Sequence, residues 1–164
     1  MPFASHRLDL LLVPADPEER RSVAPLARLG EARAWWASGA PGVGASALGV
    51  GSFAGVRGEE HPRPRLFANG LGGFHVRCPA CEAPAARALG RAMALGRDLG
   101  VPDVRCETCG RSHGAGDLAY APPAAFACAA WTLIDVATSA LSAEAADAIT
   151  GAWGPWRLIA RRVA

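Results

Sequence analysis

The sequence predicts an α+β fold made of two strand-helix-strand halves with a four-cysteine segment between them. Three observations carry this. An apolar, β-compatible run, "HRLDLLLVP", lies near the start and a second, "AAFACAAWTLIDV", near the end, each followed by a helix-forming stretch. Two Cys-x-x-Cys pairs, in "RCPACEAP" and "RCETCGRSH", sit between them. The chain has 164 residues, 51% of them apolar, enough for a single domain with its own core.

Residues 6–14 read as the first strand, stopped by Pro14. A helix follows, with Asp16 as cap, Pro17 in its first turn, and Glu18 and Glu19 at its positive end. Val23, Leu26 and Leu29 form its apolar stripe, Gly30 ends it, and Pro25 kinks it. Residues 31–38, "EARAWWAS", read as the second strand, which would send Trp35 and Trp36 to opposite faces. The glycine-rich stretch 39–58 reads as a loop and then a weakened strand over 47–56. No lysine follows it, so it is a poor phosphate loop. "EEHPRPR" reads as a polar turn, and Asn69-Gly70 as a turn leading into a strand that delivers Cys78.

Residues 85–100 read as a helix between the cysteine pairs, with Leu89 and Met93 turned inward. In the strand at 124–136, Ala127, Ala129, Trp131 and Leu133 share one face. Phe126, Cys128, Ala130, Thr132 and Ile134 share the other. Only Thr132 is polar, so both faces are expected to be covered. Ser142 caps the next helix, Glu144 lies in its first turn, and Gly151 and Gly154 mark its exit. The arginine-containing segment 155–163 reads as a last strand near a sheet edge. This order is that of a ferredoxin-like α/β sandwich, a single domain over 1–164 with an inserted zinc-ribbon-like subdomain at 66–117. Helices cover one sheet face in such a fold. The insertion, a second copy or a partner is expected to cover the other.

Cys78, Cys81, Cys106 and Cys109 are spaced C-x2-C-x24-C-x2-C. Each Cys-x-x-Cys turn supplies two adjacent corners of a tetrahedron, and two turns complete a four-thiolate zinc shell. Such a shell has no open position, so the zinc is expected to be structural. Gly110 after Cys109 suits the positive φ of a knuckle, while Glu82 after Cys81 suits it less. A thioredoxin-like redox site needs one such pair, not two matched ones. His113 could replace a cysteine as ligand, though four thiolates suffice; an exposed loop residue is the alternative. Cys128, in an apolar run, reads as a small buried hydrophobe.

No arrangement reads as catalytic. There is no lysine in the chain, which excludes a Walker lysine, a Schiff base and a Ser-Lys dyad. Glu59, Glu60 and His61 form the densest titratable cluster, but in an expected solvated turn. His75 either supports a zinc thiolate or faces solvent. Asp117 is expected to cap a turn, and Tyr120, the single tyrosine, to need a hydroxyl partner in the core. Arg77, Arg87, Arg91, Arg97, Arg105 and Arg111 would suit phosphate contacts. Glu82, Asp98, Asp103 and Glu107 interleave with them, and no aromatic platform lies between the cysteine pairs. The net charge of +2 demands no polyanion. With no signal-peptide pattern and no membrane span, the chain is expected to be cytoplasmic, with reduced thiols.

The runs "FANGLGGFHVRCPAC", "VRCETCG", "DLAYAPPAAFACAAWTLIDV" and "WRLIARRV" resemble small bacterial zinc-ribbon proteins that look like immunity or accessory proteins of secreted toxin effectors, including type VI effectors. The resemblance covers 66–163. It implies a non-enzymatic, protein-binding role with a toxin effector as partner. A zinc-ribbon regulator that binds nucleic acid is the alternative, and a homo-oligomer is open.

Overall fold

The computed structural model describes residues 7–36, 44–69, 74–96 and 100–163. In chain order these form β1 (Arg7–Pro14), α1 (Ala24–Ala32), α2 (Ala45–Leu48), β2 (Gly55–Phe67), β3 (His75–Arg77) and α3 (Ala86–Leu95). Then come β4 (Asp103–Arg105), β5 (Ser112–Gly114), β6 (Ala119–Ala121), β7 (Ala125–Ile134), α4 (Ala143–Trp153) and β8 (Trp156–Val163). The protein is therefore α+β. Its main sheet has the order β2-β7-β1-β8, with every neighbouring pair antiparallel. The short strands pair separately, β3 with β6 and β4 with β5. Among the described residues, no helix is long and apolar enough to cross a membrane.

Strand β7 is buried from Ala125 to Leu133, so both sheet faces are covered. On the first face, Leu10, Leu12, Trp131 and Leu133 pack against Leu26 of α1, Leu48 of α2, and Ile149 and Trp153 of α4. Each such side chain contributes roughly 1.5–3 kcal/mol by leaving water. On the second face, Leu11, Val13, Ala130 and Ile159 pack with Phe67, the last residue of β2; Ala127 joins this cluster and not Ala129 and Trp131 as expected, because the single alternation breaks where the β2–β7 register shifts. Two residues on, Asn69 accepts a hydrogen bond from the Arg162 amide of β8 at 3.1 Å. The chain leaving β2 at one edge thus reaches the opposite edge and lies over the second face.

Several expected elements differ. Of the strand expected at 31–38, the described residues 31–36 form none: Glu31 and Ala32 finish α1, and the chain turns through residues 33–36, with Ala34 at φ 53°. Gly30 makes this possible. A Cβ there would lie 1.5 Å from Trp36 Cε2, so only glycine lets the indole fold back onto its own helix. The Trp36 ring then donates to the Ala27 carbonyl at 3.2 Å and packs 5.3 Å from the Trp131 ring.

Helix α1 starts at Ala24, so Pro25 lies in its first turn and kinks nothing. Asp16 instead accepts from the Glu18 amide at 2.9 Å in a turn. The α1 amino end is held from β2, where Glu60 accepts from the Val23 amide at 2.8 Å and the Ser22 hydroxyl at 3.0 Å. The weakened strand expected at 47–56 is α2 followed by the start of β2 at Gly55. "EEHPRPR" is no turn but the middle of β2. Its two prolines are tolerated because β2 is an edge strand and its register with β7 shifts between Glu60 and Arg65. Gly70 and residues 37–43 and 97–99 fall outside the described residues, and with them parts of the expected turn, loop and helix end.

Ser142 caps α4 as expected, its hydroxyl accepting from the Ala145 amide at 3.2 Å. Thr132 is fully buried and its hydroxyl has no hydrogen-bond partner. Thr132→Val keeps the shape and removes the unsatisfied group, so it should stabilise the fold by about 1 kcal/mol. Thermal melting would show this as a midpoint raised by roughly 2–4 °C; a lower midpoint would contradict the assignment.

Asp9 is also buried. Its carboxylate accepts from Arg7 at 3.0 Å, from the Asp135 amide at 3.1 Å and from Arg161 at 3.3 Å. Burial pushes its pKa up, but the Asp135 amide and the two arginines outweigh this and hold it below the ordinary carboxylate value. The stabilisation is therefore fully present above the unfolded pKa of about 3.9 and lost as pH falls through the lower folded value. Asp9→Asn should lower the urea midpoint at neutral pH and flatten its fall on acidification, when midpoints are compared across that range.

Candidate metal centre

The centre is built from two copies of one local structure. Val76 and Val104 are each the buried middle residue of a three-residue strand, and Arg77 and Arg105 follow them, exposed. The next residues are Cys78 and Cys106. The Cys78 amide donates to the Ala83 carbonyl at 2.9 Å, and the Cys106 amide to the Arg111 carbonyl at 2.8 Å. In return the Glu82 amide donates to the Cys78 carbonyl at 2.9 Å and the Gly110 amide to the Cys106 carbonyl at 3.0 Å. Both turns close on a left-handed residue, Glu82 at φ 59° and Gly110 at φ 72°. The turn geometry thus imposes on Glu82 a conformation that glycine adopts more cheaply.

The two turns face each other. All four cysteine sulfurs lie within 4.8 Å of one another, so the cluster could hold a metal ion. The close contacts run between the turns: Cys78 to Cys109 at 3.8 Å and Cys81 to Cys106 at 3.7 Å. Cys78 and Cys106 are buried, while Cys81 and Cys109 are exposed. Amides of Cys109 and Thr108 pull the Cys106 thiol down to about 6. The Ala83 amide acts to lower Cys81, but desolvation and the sulfurs of Cys109, Cys106 and Cys78 push it up to about 12. The Cys106 thiolate thus forms readily while Cys81 beside it holds its proton, a conflict that a positive charge among the sulfurs would relieve.

His113 was expected as a ligand or an exposed loop residue. It lies on β5, half-buried, with Nε2 3.5 Å from the Cys78 sulfur. It therefore links the hairpin of the second turn to the first cysteine of the first turn. The pairing of Val104 with His113 across β4 and β5 aims it there, a relation the sequence spacing does not display. His75 is exposed on β3.

Around the centre, Val76, Val104, Ala85, Leu89, Ala115 and Leu118 form a small core that also contains Phe126 of β7. Helix α3 fills the gap between the turns, with Leu89 buried and Met93 packed against this core. The Tyr120 hydroxyl finds its partner in the Ala115 carbonyl, and its ring stacks on Phe74 at 5.5 Å. Burial, with the nearby Asp117 charge, pushes the phenol above its ordinary value. Arg77, Arg87, Arg91, Arg105 and Arg111 are exposed; Arg91 pairs with Glu107, and Arg97 lies outside the described residues.

Away from the cysteines, Arg20, Arg21, Ser22, Glu60, His61, Pro62 and Cys128 line a cleft of about 420 Å³. His61 Nε2 is 3.4 Å from Glu59, a pair in strand β2 rather than in a solvated turn. The Cys128 thiol is buried and 3.7 Å from the Pro17 carbonyl. Burial and Glu18 push its pKa up against a weaker pull from Arg20. A protonated, buried thiol is a poor nucleophile, and Glu60 is held by Ser22 and Val23. Of the reactive residue types in the cleft, Cys128 is thus held protonated and Glu60 is engaged by Ser22 and Val23.

No family model, curated protein or solved structure matches the chain. Fold and site define it as an α+β protein with a candidate four-cysteine metal centre.

The near-identical turns allow a paired test. Gly110→Ala places a Cβ in the left-handed region and should cost about 1 kcal/mol. Glu82→Gly relieves the same strain and should not destabilise. Chemical denaturation of the metal-loaded chain with each substitution would resolve the opposite signs.

Proposed function

We propose that Cys78, Cys81, Cys106 and Cys109 hold one structural zinc ion, in a non-enzymatic cytosolic protein whose work is to bind another protein. The carrying observation is the sulfur spacing. Four thiolates about 2.3 Å from zinc at tetrahedral corners stand roughly 3.8 Å apart, and the two cross-turn contacts are 3.8 and 3.7 Å. A shell filled by four thiolates keeps no position for water or substrate, so the ion staples the insertion and takes no part in chemistry. His113 would then donate to the Cys78 thiolate from outside the shell.

The scaffold is best read as a ferredoxin-like sandwich. Its four long strands, taken as first to fourth, lie in the order second, third, first, fourth, with α1 between the first two and α4 between the last two. The metal insertion occupies the connection between the second and third strands. The protein-binding reading rests on the resemblance to immunity proteins and on a cleft that holds no activated nucleophile. In that reading the chain neutralises a toxin by covering its active site.

The exposed Arg87, Arg105 and Arg111 support a second reading, a zinc-ribbon regulator that binds nucleic acid. The two separate on salt. Phosphate contacts weaken steeply as salt rises, whereas an interface with an apolar core persists. Purification of the tagged chain from its host, with and without nuclease, should yield one stoichiometric protein that survives high salt. Recovery of nucleic acid alone, lost in high salt, would favour the regulator. For the metal, elemental analysis should give one zinc per chain. Cys106→Ser should release it and unfold the insertion while leaving the four-stranded sheet detectable, since ligation free energy is folding free energy. A wild-type chain equally stable after chelation would refute the staple.

A further inference from the structure

The main sheet has two edges, and they differ. The β8 edge carries Arg157, Arg161 and Arg162 and no acid, and Asn69 takes up its Arg162 amide. A second copy brought to this edge meets like charge. At the other edge lies β2, where among the described residues no other strand pairs with the outer side. Among the described residues, no backbone hydrogen bond reaches 55–60 from that side. Pro62 and Pro64 lack amide hydrogens and bound the usable edge at Glu60. What remains, Gly55 to Glu60, is about the length of an ordinary strand.

We infer that this edge joins two copies of the chain in a two-fold dimer, with β2 pairing antiparallel to β2 and the dyad at Gly58. The charge pattern carries the inference, because the edge is complementary to itself. With Gly58 opposite Gly58, Arg57 of each copy stands opposite Glu59 of the other, on the same face. Arg57 and Glu59 already lie 3.9 Å apart within the chain, with Arg57 half-exposed, so pairing closes a four-charge ladder across the axis. A two-fold interface requires such self-complementarity. Glycine at the dyad leaves only hydrogens where the strands meet. Its other side is already full: a Cβ would lie 2.7 Å from Val23 Cγ2 and 2.9 Å from Trp131 Cζ3. The result is one eight-stranded antiparallel sheet with an arginine-rich β8 at each outer edge. This pairing does not depend on the metal or on a foreign partner.

The test uses the full metal-loaded chain in sedimentation equilibrium over a range of concentrations. The expected species has twice the 16.9 kDa chain mass. Arg57→Glu and Glu59→Arg should each weaken association by about tenfold, because each sets like charges opposite at two symmetric places. The double swap should restore it, which separates lost pairing from lost folding. Hydrogen exchange of the unaltered chain should show amides in 55–59 gaining protection as concentration rises. A monomer throughout, an open series of larger assemblies from β2 meeting β8, or a dimer that ignores the charge swaps and leaves these amides unprotected would each overturn the inference.

Discussion

Strand β7 must be covered twice. From Ala125 to Leu133 every residue is buried, and alternation along a strand divides those side chains between two faces. Helices α1, α2 and α4 cover one of them. Among the described residues no helix packs in the core of the other; there the cover includes Phe67 and the chain running from it to β8. That requirement shapes the connection between β2 and β7. A tight hairpin would leave Leu11, Val13 and Ile159 in water, at roughly 1.5–3 kcal/mol each. The connection must travel across the sheet before it returns, and the four-cysteine module sits on that detour.

The module is joined to the sheet through the same strand. Phe126 is buried in the small core beside the cysteines, while its neighbours Ala125 and Ala127 belong to the second sheet face. Four short strands and one ten-residue helix make too little apolar contact to hold a fold by themselves. The cysteine turns supply the remainder only if four thiols can sit at contact distance. At that distance Cys106 is drawn down while Cys81 is driven up. The cluster could hold a metal ion, which would relieve that conflict and fix the ends of both turns at once.

The cysteine pairs, β1, β7, the Ser142 cap and the edge position of β8 were legible because each depends on local chemistry. A Cys-x-x-Cys turn or a capped helix end declares itself within a few residues. The misread segments depended on distant partners. "EARAWWAS" has strand propensity, but Trp36 gains more by folding onto Gly30 and Trp131 than by extending. "EEHPRPR" carries turn residues, yet an edge position removes the penalty of its prolines, and Glu60 is held there by the α1 amino end. His113 beside Cys78, and His61 with Cys128 in one cleft, are juxtapositions made by strand pairing, which no spacing rule predicts.

The edges of the sheet complete the same logic. A protein that extends its sheet by pairing must keep one edge open and close the other, or it grows without limit. Here β8 is closed to like copies by same-sign charge and by Asn69. Strand β2 is stopped at one end by Pro62 and Pro64 but left regular between Gly55 and Glu60. The prolines that disguised β2 as a turn therefore have a structural reason. They end the open stretch at Glu60, so that pairing about Gly58 joins residues 56–60, where Arg57 meets Glu59, and the two-fold axis closes the assembly at two.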